Sequence, residues 1–273
     1  MITKKTARLY KACFTVAGTK RMKRADKLSI PNQDSYYIEY TELGNQSGFL
    51  ALVADGMGGE EYQKSEVASG YIRQSLAEWY NQVKENLFSM ELEEIKKMLN
   101  TEIQAIHKTL IQNADRKGIL YGSTLTAVLV INSKLIVAQV GDSRCYLNYH
   151  NYIRQLTEDQ TLYQQTLKKK KEVPEELLVK TQSTLLQCIG QREVKPHFYS
   201  EILPPEYEIL LCSDGFYRKL LDKELTDVFL GEGTLDKRLE RAAGFLVERG
   251  ERDDITAILI KRVMEDVEVK HGE

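Results

Sequence analysis

The stretch GFLALVADGMGG, residues 48–59, carries an apolar run that ends in an aspartate and a group of glycines. Residues 48–54 are apolar and bounded by Gly and Asp, which predicts a buried strand. Asp55 follows directly, and the glycines after it let the backbone turn sharply and let a carbonyl approach an ion. The turn is not GxGxxG, because Glu61 takes the last glycine position, and no GK[ST] follows to make a Walker loop.

Similar strand-like runs lie on both sides of this stretch. They are short, rich in Val, Ile, Leu and Tyr, and cover residues 35–40, 123–131, 134–140, 144–149, 195–203, 207–213 and 254–262. Apolar residues at three- and four-residue steps predict helices over 65–86, 91–112 and 234–249. Closely spaced strands with helices inserted in pairs favour packed sheets covered by helices, rather than strict βαβ alternation.

Aspartates recur where the predicted strands begin or end: Asp34, Asp55, Asp142, Asp214, Asp253 and Asp254. Each one alone is explained by a turn, since Asp and Gly commonly terminate strands. Together they also fit a carboxylate cluster, which needs cations because like charges repel. Oxygen ligands without His or Cys suit Mg²⁺ or Mn²⁺ and disfavour structural zinc. Two such ions acidify a bridging water and stabilise a transferring phosphoryl group, so phosphate-ester hydrolysis is the natural chemistry.

Length and composition exclude several other classes of protein. The 273 residues suit one large domain or two small ones, and no linker or repeat divides them. With 38 basic and 40 acidic residues the net charge is -2, which argues against binding nucleic acid through bulk positive charge. No apolar run approaches the ~20 residues of a membrane helix. We expect a soluble cytoplasmic protein with four buried thiols in a reducing compartment, at Cys13, Cys145, Cys188 and Cys212.

Seven short motifs follow one another along the chain: NQDS (32–35), VADGMGG (53–59), GSTLTAVLV (122–130), VAQVGDSRCY (137–146), LTEDQ (156–160), LLCSDGF (210–216) and RDDIT (252–256). Their order and spacing resemble those of the metal-dependent protein phosphatases, the PPM family of type 2C, in its bacterial form. The resemblance implies an α+β fold, a four-layer αββα sandwich of two antiparallel sheets flanked by helix pairs. It also implies a single catalytic domain over residues 1–262. The polar residues that follow predict a flexible tail at 263–273.

The resemblance further implies a site with two ions, Mn²⁺ or Mg²⁺, in the cleft between the sheets. By carry-over of the motifs, Asp55 bridges both ions and the Gly56 carbonyl binds one of them. Asp214 and Asp253 complete the second site, and Asp34 acts mainly through metal-bound water.

A third ion is a further expectation from the family pattern. Asp142, in the motif GDSR, matches a residue that helps to hold a third, weaker ion in bacterial members. Arg218 stands where a further aspartate often follows the motif SDG. The third site is therefore expected to be weakened or replaced by a cation.

The phosphate-binding arginine of the family is displaced in this sequence, because Ser29 holds its usual place. The segment Gly18–Arg21 keeps the pattern G-x-x-R, so Arg21 is the candidate phosphate clamp, a role suited to a planar bidentate donor. Arg24 is the second candidate, and a solvated basic loop is the alternative for both. The lysines at 168–171 are either a solvated helix end or an attraction for acidic substrates.

These residues together predict a monomeric serine/threonine phosphoprotein phosphatase that acts on the substrates of a Ser/Thr kinase. A metal-bridging water would attack phosphoserine or phosphothreonine directly. Two alternatives stay open. One is a pseudophosphatase that binds or regulates, suggested by the displaced arginine and by Arg218; the other is a phosphatase of small phosphate esters. Neither nucleic acid nor membrane is expected as a partner.

Overall fold

The structure, a computed structural model, describes residues 3–16, 31–57, 65–120, 122–169 and 181–268. The strands within these ranges are β1 (Thr3–Val16), β2 (Asp34–Leu43), β3 (Gln46–Asp55), β4 (Leu125–Ile131), β5 (Lys134–Val140), β6 (Arg144–Tyr149), β7 (Tyr152–Gln155), β8 (His197–Ile202), β9 (Tyr207–Cys212) and β10 (Ile255–Glu268). The helices are α1 (Ser65–Leu87), α2 (Leu92–Lys117), α3 (Leu162–Lys168), α4 (Asp214–Tyr217), α5 (Asp222–Leu230) and α6 (Leu235–Glu248). None of these helices is long and apolar enough to cross a membrane.

The strands form two five-stranded sheets, in the orders β1-β10-β9-β6-β7 and β2-β3-β4-β5-β8. Every strand pair in both sheets is antiparallel. Because neighbouring strands run in opposite directions, the ends of β3 and β5 lie beside the start of β2 and β4. In the same way, the end of β9 lies beside the start of β10 and β6.

Three apolar clusters give the molecule its four layers. The central cluster lies between the sheets and joins Phe49 of β3 to Ile209 of β9. The next residue of β3, Leu50, points to the opposite face, where α1 and α2 pack with residues such as Leu99. The outer face of the other sheet is covered by α5 and α6, with Leu239 at the centre. The predicted αββα sandwich is therefore confirmed.

The first strand and the end of the chain differ from the sequence predictions. β1 was not predicted, because its lysines hide the alternation that places Leu9 in the central cluster. β1 pairs with β10 along its whole length, from Val16 beside Ile255 to Thr3 beside Glu268. β10 therefore runs through residues 263–268, part of the segment predicted to be a flexible tail, because β1 supplies hydrogen-bonding partners for them; residues 269–273 lie outside the described part.

The cysteines follow their prediction with one exception. All four are free thiols; Cys145, Cys188 and Cys212 are buried, whereas Cys13 is only half-buried. Burial raises the pKa of all four thiols, so they stay protonated and unreactive.

Candidate metal centre

Strand ends bring the predicted aspartates to one end of the sandwich. Asp34 is the first residue of β2 and Asp55 is the last residue of β3, and the two are direct cross-strand partners. Asp142 lies in the turn between β5 and β6, and Asp214 follows β9 as the first residue of α4. Asp253 comes just before β10. Antiparallel pairing therefore gathers carboxylates that are as much as 219 positions apart in the sequence, counting from Asp34 to Asp253.

The carboxylates are close enough to perturb one another's ionisation. Burial raises the pKa of Asp55 well above its ordinary value, and four neighbouring charges raise it further: those of Asp34, Asp214, Asp253 and Asp142. Burial also raises the pKa of Asp34 to about 7 and that of Asp142 to about 7. Such a group of acids cannot be fully ionised without positive charge nearby. Strongly raised pKa values in one cluster are typical of a functional site.

Asp34 is held by a relay that joins the two sheets. The Ser213 hydroxyl donates to Asp34 Oδ2 over 2.9 Å and accepts from the Thr256 N–H over 3.1 Å. The Ser213 N–H in turn donates to the Thr256 carbonyl over 3.0 Å. Sequence reasoning did not assign these two residues, although each lies within three positions of a predicted aspartate.

Asp55 is fixed at the end of β3 by the strand beside it. Its N–H donates to Thr124 Oγ1 over 3.0 Å, and the Thr124 N–H donates back to the Asp55 carbonyl over 2.8 Å. The Thr124 hydroxyl also shares a 2.7 Å hydrogen bond with the Ser143 hydroxyl. This contact ties Asp55 to the turn that carries Asp142. Gly56 is buried and donates its N–H to the Gln33 carbonyl over 3.1 Å.

Arg218 contacts two of the aspartates at once. Its Nη2 lies 2.6 Å from Asp214 Oδ2 and 3.3 Å from Asp142 Oδ2. The Arg218 charge opposes the effect of burial on the pKa of both carboxylates. The side chains of Asp142 and Asp214 are only 4% and 10% exposed, whereas that of Arg218 is 31% exposed. The guanidinium therefore lies at the rim of the cluster with one edge turned into it.

The segment before β10 approaches the start of α4 closely. A Cβ atom on Gly215 would lie 2.1 Å from the Asp254 carbonyl oxygen, so only glycine fits at this position. The Asp254 side chain is buried and accepts from the Gln33 N–H over 2.8 Å. Asp254 thus fixes the chain that leads into Asp34, while its neighbour Asp253 is half-buried at the cluster.

A cation–π contact between Arg144 and Tyr217 supports the turn that carries Asp142. The Arg144 guanidinium lies 3.6 Å from the centre of the Tyr217 ring, and the Tyr217 hydroxyl donates to the Asp142 carbonyl over 3.1 Å. Arg144 also forms a bidentate pair with Asp159, at 2.8 and 2.6 Å. These contacts were not predicted, because the sequence motifs mark Arg144 and Asp159 without showing that they meet.

The oxygens of the cluster suit hard cations. Asp34 Oδ1 and Asp214 Oδ1 are buried and have no hydrogen-bond partner among the described residues. Buried carboxylate oxygens are costly unless a cation or a donor reaches them. Within the same ranges, no three Asp, Glu, His or Cys side chains already converge on one point at ligand distance. The residues therefore fit divalent cations in chemistry and charge.

Several predicted residues lie outside the described ranges. They are the two candidate phosphate clamps Arg21 and Arg24, the glycines Gly58 and Gly59, and the lysines Lys170 and Lys171. Of the lysine run, Lys168 ends α3 and forms a 2.5 Å ion pair with Glu158. That lysine is therefore paired with an acidic residue of the same chain.

The αββα sandwich and the aspartates at one end of its sheets place this protein in the class of protein phosphatases. The chain belongs to the protein phosphatase 2C family, whose model matches residues 23–259. The serine/threonine phosphatase stp of Listeria welshimeri is 31% identical over 218 residues, which cover 78% of this chain and 84% of the relative. This membership makes the protein an enzyme, a protein phosphatase.

Solved structures agree with the fold. The serine/threonine phosphatase Stp1 from Staphylococcus aureus superposes with a TM-score of 0.77 at 25% identity, covering 96% of each chain. The catalytic domain of the serine threonine protein phosphatase PstP, solved in complex with two manganese ions, superposes with a TM-score of 0.72 at 23% identity. That comparison covers 94% of this chain and 100% of the PstP chain.

Proposed function

We propose that this protein hydrolyses phosphoserine and phosphothreonine in other proteins, with divalent cations held by the aspartate cluster. One observation carries the proposal: aspartates from five separate chain segments meet at one end of the sandwich, where the charges of four of them raise the pKa of the fifth, Asp55. Such a concentration of acidic groups is fully ionised at neutral pH only with positive charge nearby. Phosphoryl transfer is the chemistry that two such cations favour.

Four residues are our candidates for the two-ion site: Asp55, the Gly56 carbonyl, Asp214 and Asp253. Asp142, the sequence-based candidate for a third ion, has its Oδ2 within ion-pair distance of Arg218. Bound cations supply a water of lowered pKa as the nucleophile and positive charge that stabilises the transferring phosphoryl group. Manganese is the preferred choice, because the PstP domain of the same fold was solved with two manganese ions. Magnesium has the same preference for oxygen ligands.

The protein's own groups have distinct tasks in this proposal. Ser213 donates a hydrogen bond to Asp34 Oδ2 and so orients the carboxylate. Asp34 Oδ1 is then available to accept a hydrogen bond from a water molecule bound in the cluster. Burial raises the pKa of Asp34 in the metal-free protein. Bound cations would lower it again, so Asp34 would accept hydrogen bonds as a carboxylate. Arg21 remains our candidate for binding the substrate phosphate.

The proposed activity also suggests the domain organisation, the substrates and the cellular location of the protein. We propose that residues 1–262 act as a single catalytic domain in a monomer. Its substrates would be phosphoproteins made by a Ser/Thr kinase, and its location would be the cytoplasm, where free thiols are the normal state.

Hydrolysis assays test the proposal. Purified protein is given p-nitrophenyl phosphate and phosphoserine, phosphothreonine and phosphotyrosine peptides, with Mn²⁺ or with EDTA. We expect Mn²⁺-dependent release of phosphate from the first two peptides. D214N should lower the rate by more than about 100-fold, because Asp214 is a candidate metal ligand and the loss of a residue that only supports a ligand already costs about 10–100-fold. The control D115N alters an exposed aspartate on α2 and should keep full activity. A wild-type rate no higher than that of D214N would refute the proposal.

A further inference from the structure

Arg218 supplies positive charge inside the acidic cluster. A single nitrogen of its side chain, Nη2, lies within ion-pair distance of both Asp214 and Asp142. Nη2 carries two hydrogens, so each carboxylate can accept one of them. The two aspartates come from separate turns, one after β5 and one after β9. Their mutual repulsion is therefore relieved by a covalently attached cation at the point where they approach each other.

The charge at this position is permanent. Guanidinium groups stay protonated throughout the physiological pH range. The other nearby arginine, Arg144, is engaged by Asp159 in a bidentate pair and stacks on Tyr217. Arg218 thus differs from Arg144 in that it neutralises the cluster itself.

The contacts also divide the oxygens of Asp214 between two tasks. Oδ2 is held by Arg218, whereas Oδ1 is buried and has no hydrogen-bond partner among the described residues. Asp214 can therefore offer Oδ1 to an ion while Oδ2 stays on the guanidinium. Asp142 has its Oδ2 on the same guanidinium. A divalent ion between Asp142 and Asp214 would have to displace Arg218.

We propose that Arg218 is a built-in cation that takes the place of an additional metal ion between Asp142 and Asp214. This inference rests on the proposed function, since it assumes that ions bind to the remaining carboxylates. The protein then holds two divalent ions and no third one. Asp142 serves as a partner of Arg218 rather than as a metal ligand.

Counting bound ions tests this inference independently of activity. The metal-free full chain is saturated with Mn²⁺, and bound manganese is measured by equilibrium dialysis with elemental analysis and by calorimetric titration. We expect two ions per chain for the wild type. R218M removes the charge but keeps an apolar side chain, and R218D adds a carboxylate; both should bind one ion more. R218K keeps a positive charge and should stay at two, as should R73M, which changes an exposed arginine on α1.

A further variant covers the case in which R218M or R218D fails to fold. D142N keeps the shape of Asp142, removes its charge and leaves Arg218 in place. We expect D142N to bind two ions, like the wild type, and a fall in its ion count would identify Asp142 as a metal ligand and overturn the inference. Three ions in the wild type, or an unchanged count in folded R218M, would also overturn it. A wild-type protein that binds no Mn²⁺ would instead refute the proposed function.

Discussion

Replacing Asp34 by asparagine should stabilise the metal-free protein at neutral pH. Asp34 is a half-buried carboxylate whose Oδ1 has no partner among the described residues, and it lies opposite Asp55. Asparagine keeps an oxygen that can accept from Ser213, and its amide can donate to a neighbouring carboxylate. The variant therefore removes a charge that is costly without metal while preserving the shape of the site.

The size of the effect follows from the pKa of Asp34. Burial is the main cause that raises this pKa from 3.8 to about 7, so the folded state binds a proton more tightly than the unfolded state. The stability that protonation of Asp34 contributes is fully present below the unfolded pKa and is lost as the pH rises through about 7. The increase in the pKa of Asp34 corresponds to roughly 4 kcal/mol in the free energy of unfolding, of which about 3 kcal/mol is lost between about pH 5 and about pH 8. Because neighbouring aspartates share the protons, we expect D34N to recover about 1–3 kcal/mol at the higher pH.

Urea unfolding in EDTA at about pH 5 and about pH 8 measures this effect. Trp79 is the sole tryptophan and is only 8% exposed, so its fluorescence reports on loss of the core around α1. The wild type should lose stability between the two pH values, and D34N should lose less. D115N, on the exposed face of α2, should follow the wild type. Equal pH dependence in the wild type and D34N would refute the reasoning, as would a less stable D34N at the higher pH.

Three further predictions follow from the same site. S213A removes a hydroxyl that donates to Asp34 and accepts from the Thr256 N–H. It should lower the free energy of unfolding by about 1–3 kcal/mol in urea titrations and slow Mn²⁺-dependent hydrolysis. Unchanged stability and rate would contradict a role for these two hydrogen bonds. G215A should weaken Mn²⁺ binding in calorimetry, because its Cβ would lie 2.1 Å from the Asp254 oxygen. The matched variant G70A has open space on α1, so it should keep the wild-type Mn²⁺ affinity and raise the free energy of unfolding by about 0.5–1 kcal/mol. Equal Mn²⁺ affinities in the two variants would be evidence against the close approach. Saturating Mn²⁺ should raise the unfolding midpoint more at about pH 8 than at about pH 5, because ligands must be deprotonated to bind, and a larger rise at the lower pH would contradict a carboxylate site.

Much of the site could be read from the sequence because aspartates interrupt apolar runs. Asp is a poor strand former, so Asp55 and Asp214 at the ends of two apolar strands mark positions where the chain turns. Antiparallel pairing then brings such turns together, which is why sequence reasoning found the cluster. The bounds of β5 and β6 were also predicted correctly, since both strands are buried and sharply limited by Gly, Asp and Asn.

The contacts that hold these aspartates could not be predicted in the same way. The link from Ser213 to Asp34 spans 179 positions and that from Arg218 to Asp142 spans 76, and no local pattern records such distances. β1 was missed because an edge strand with many charged residues resembles a solvated segment. β7 was missed because four half-buried or exposed residues carry too little alternation to detect.

β10 follows all the other described strands along the chain, so it is the last of them to leave the ribosome. Asp34 and Asp55 leave the ribosome early, but the serine that orients Asp34 is itself held by Thr256, the second residue of β10. β10 also lies between β1 and β9, so that sheet stays open until this strand is made. A nascent chain that has not reached β10 therefore lacks both Asp253 and the support for Asp34. We therefore expect a chain that ends before β10 to fold incompletely and to show no phosphatase activity.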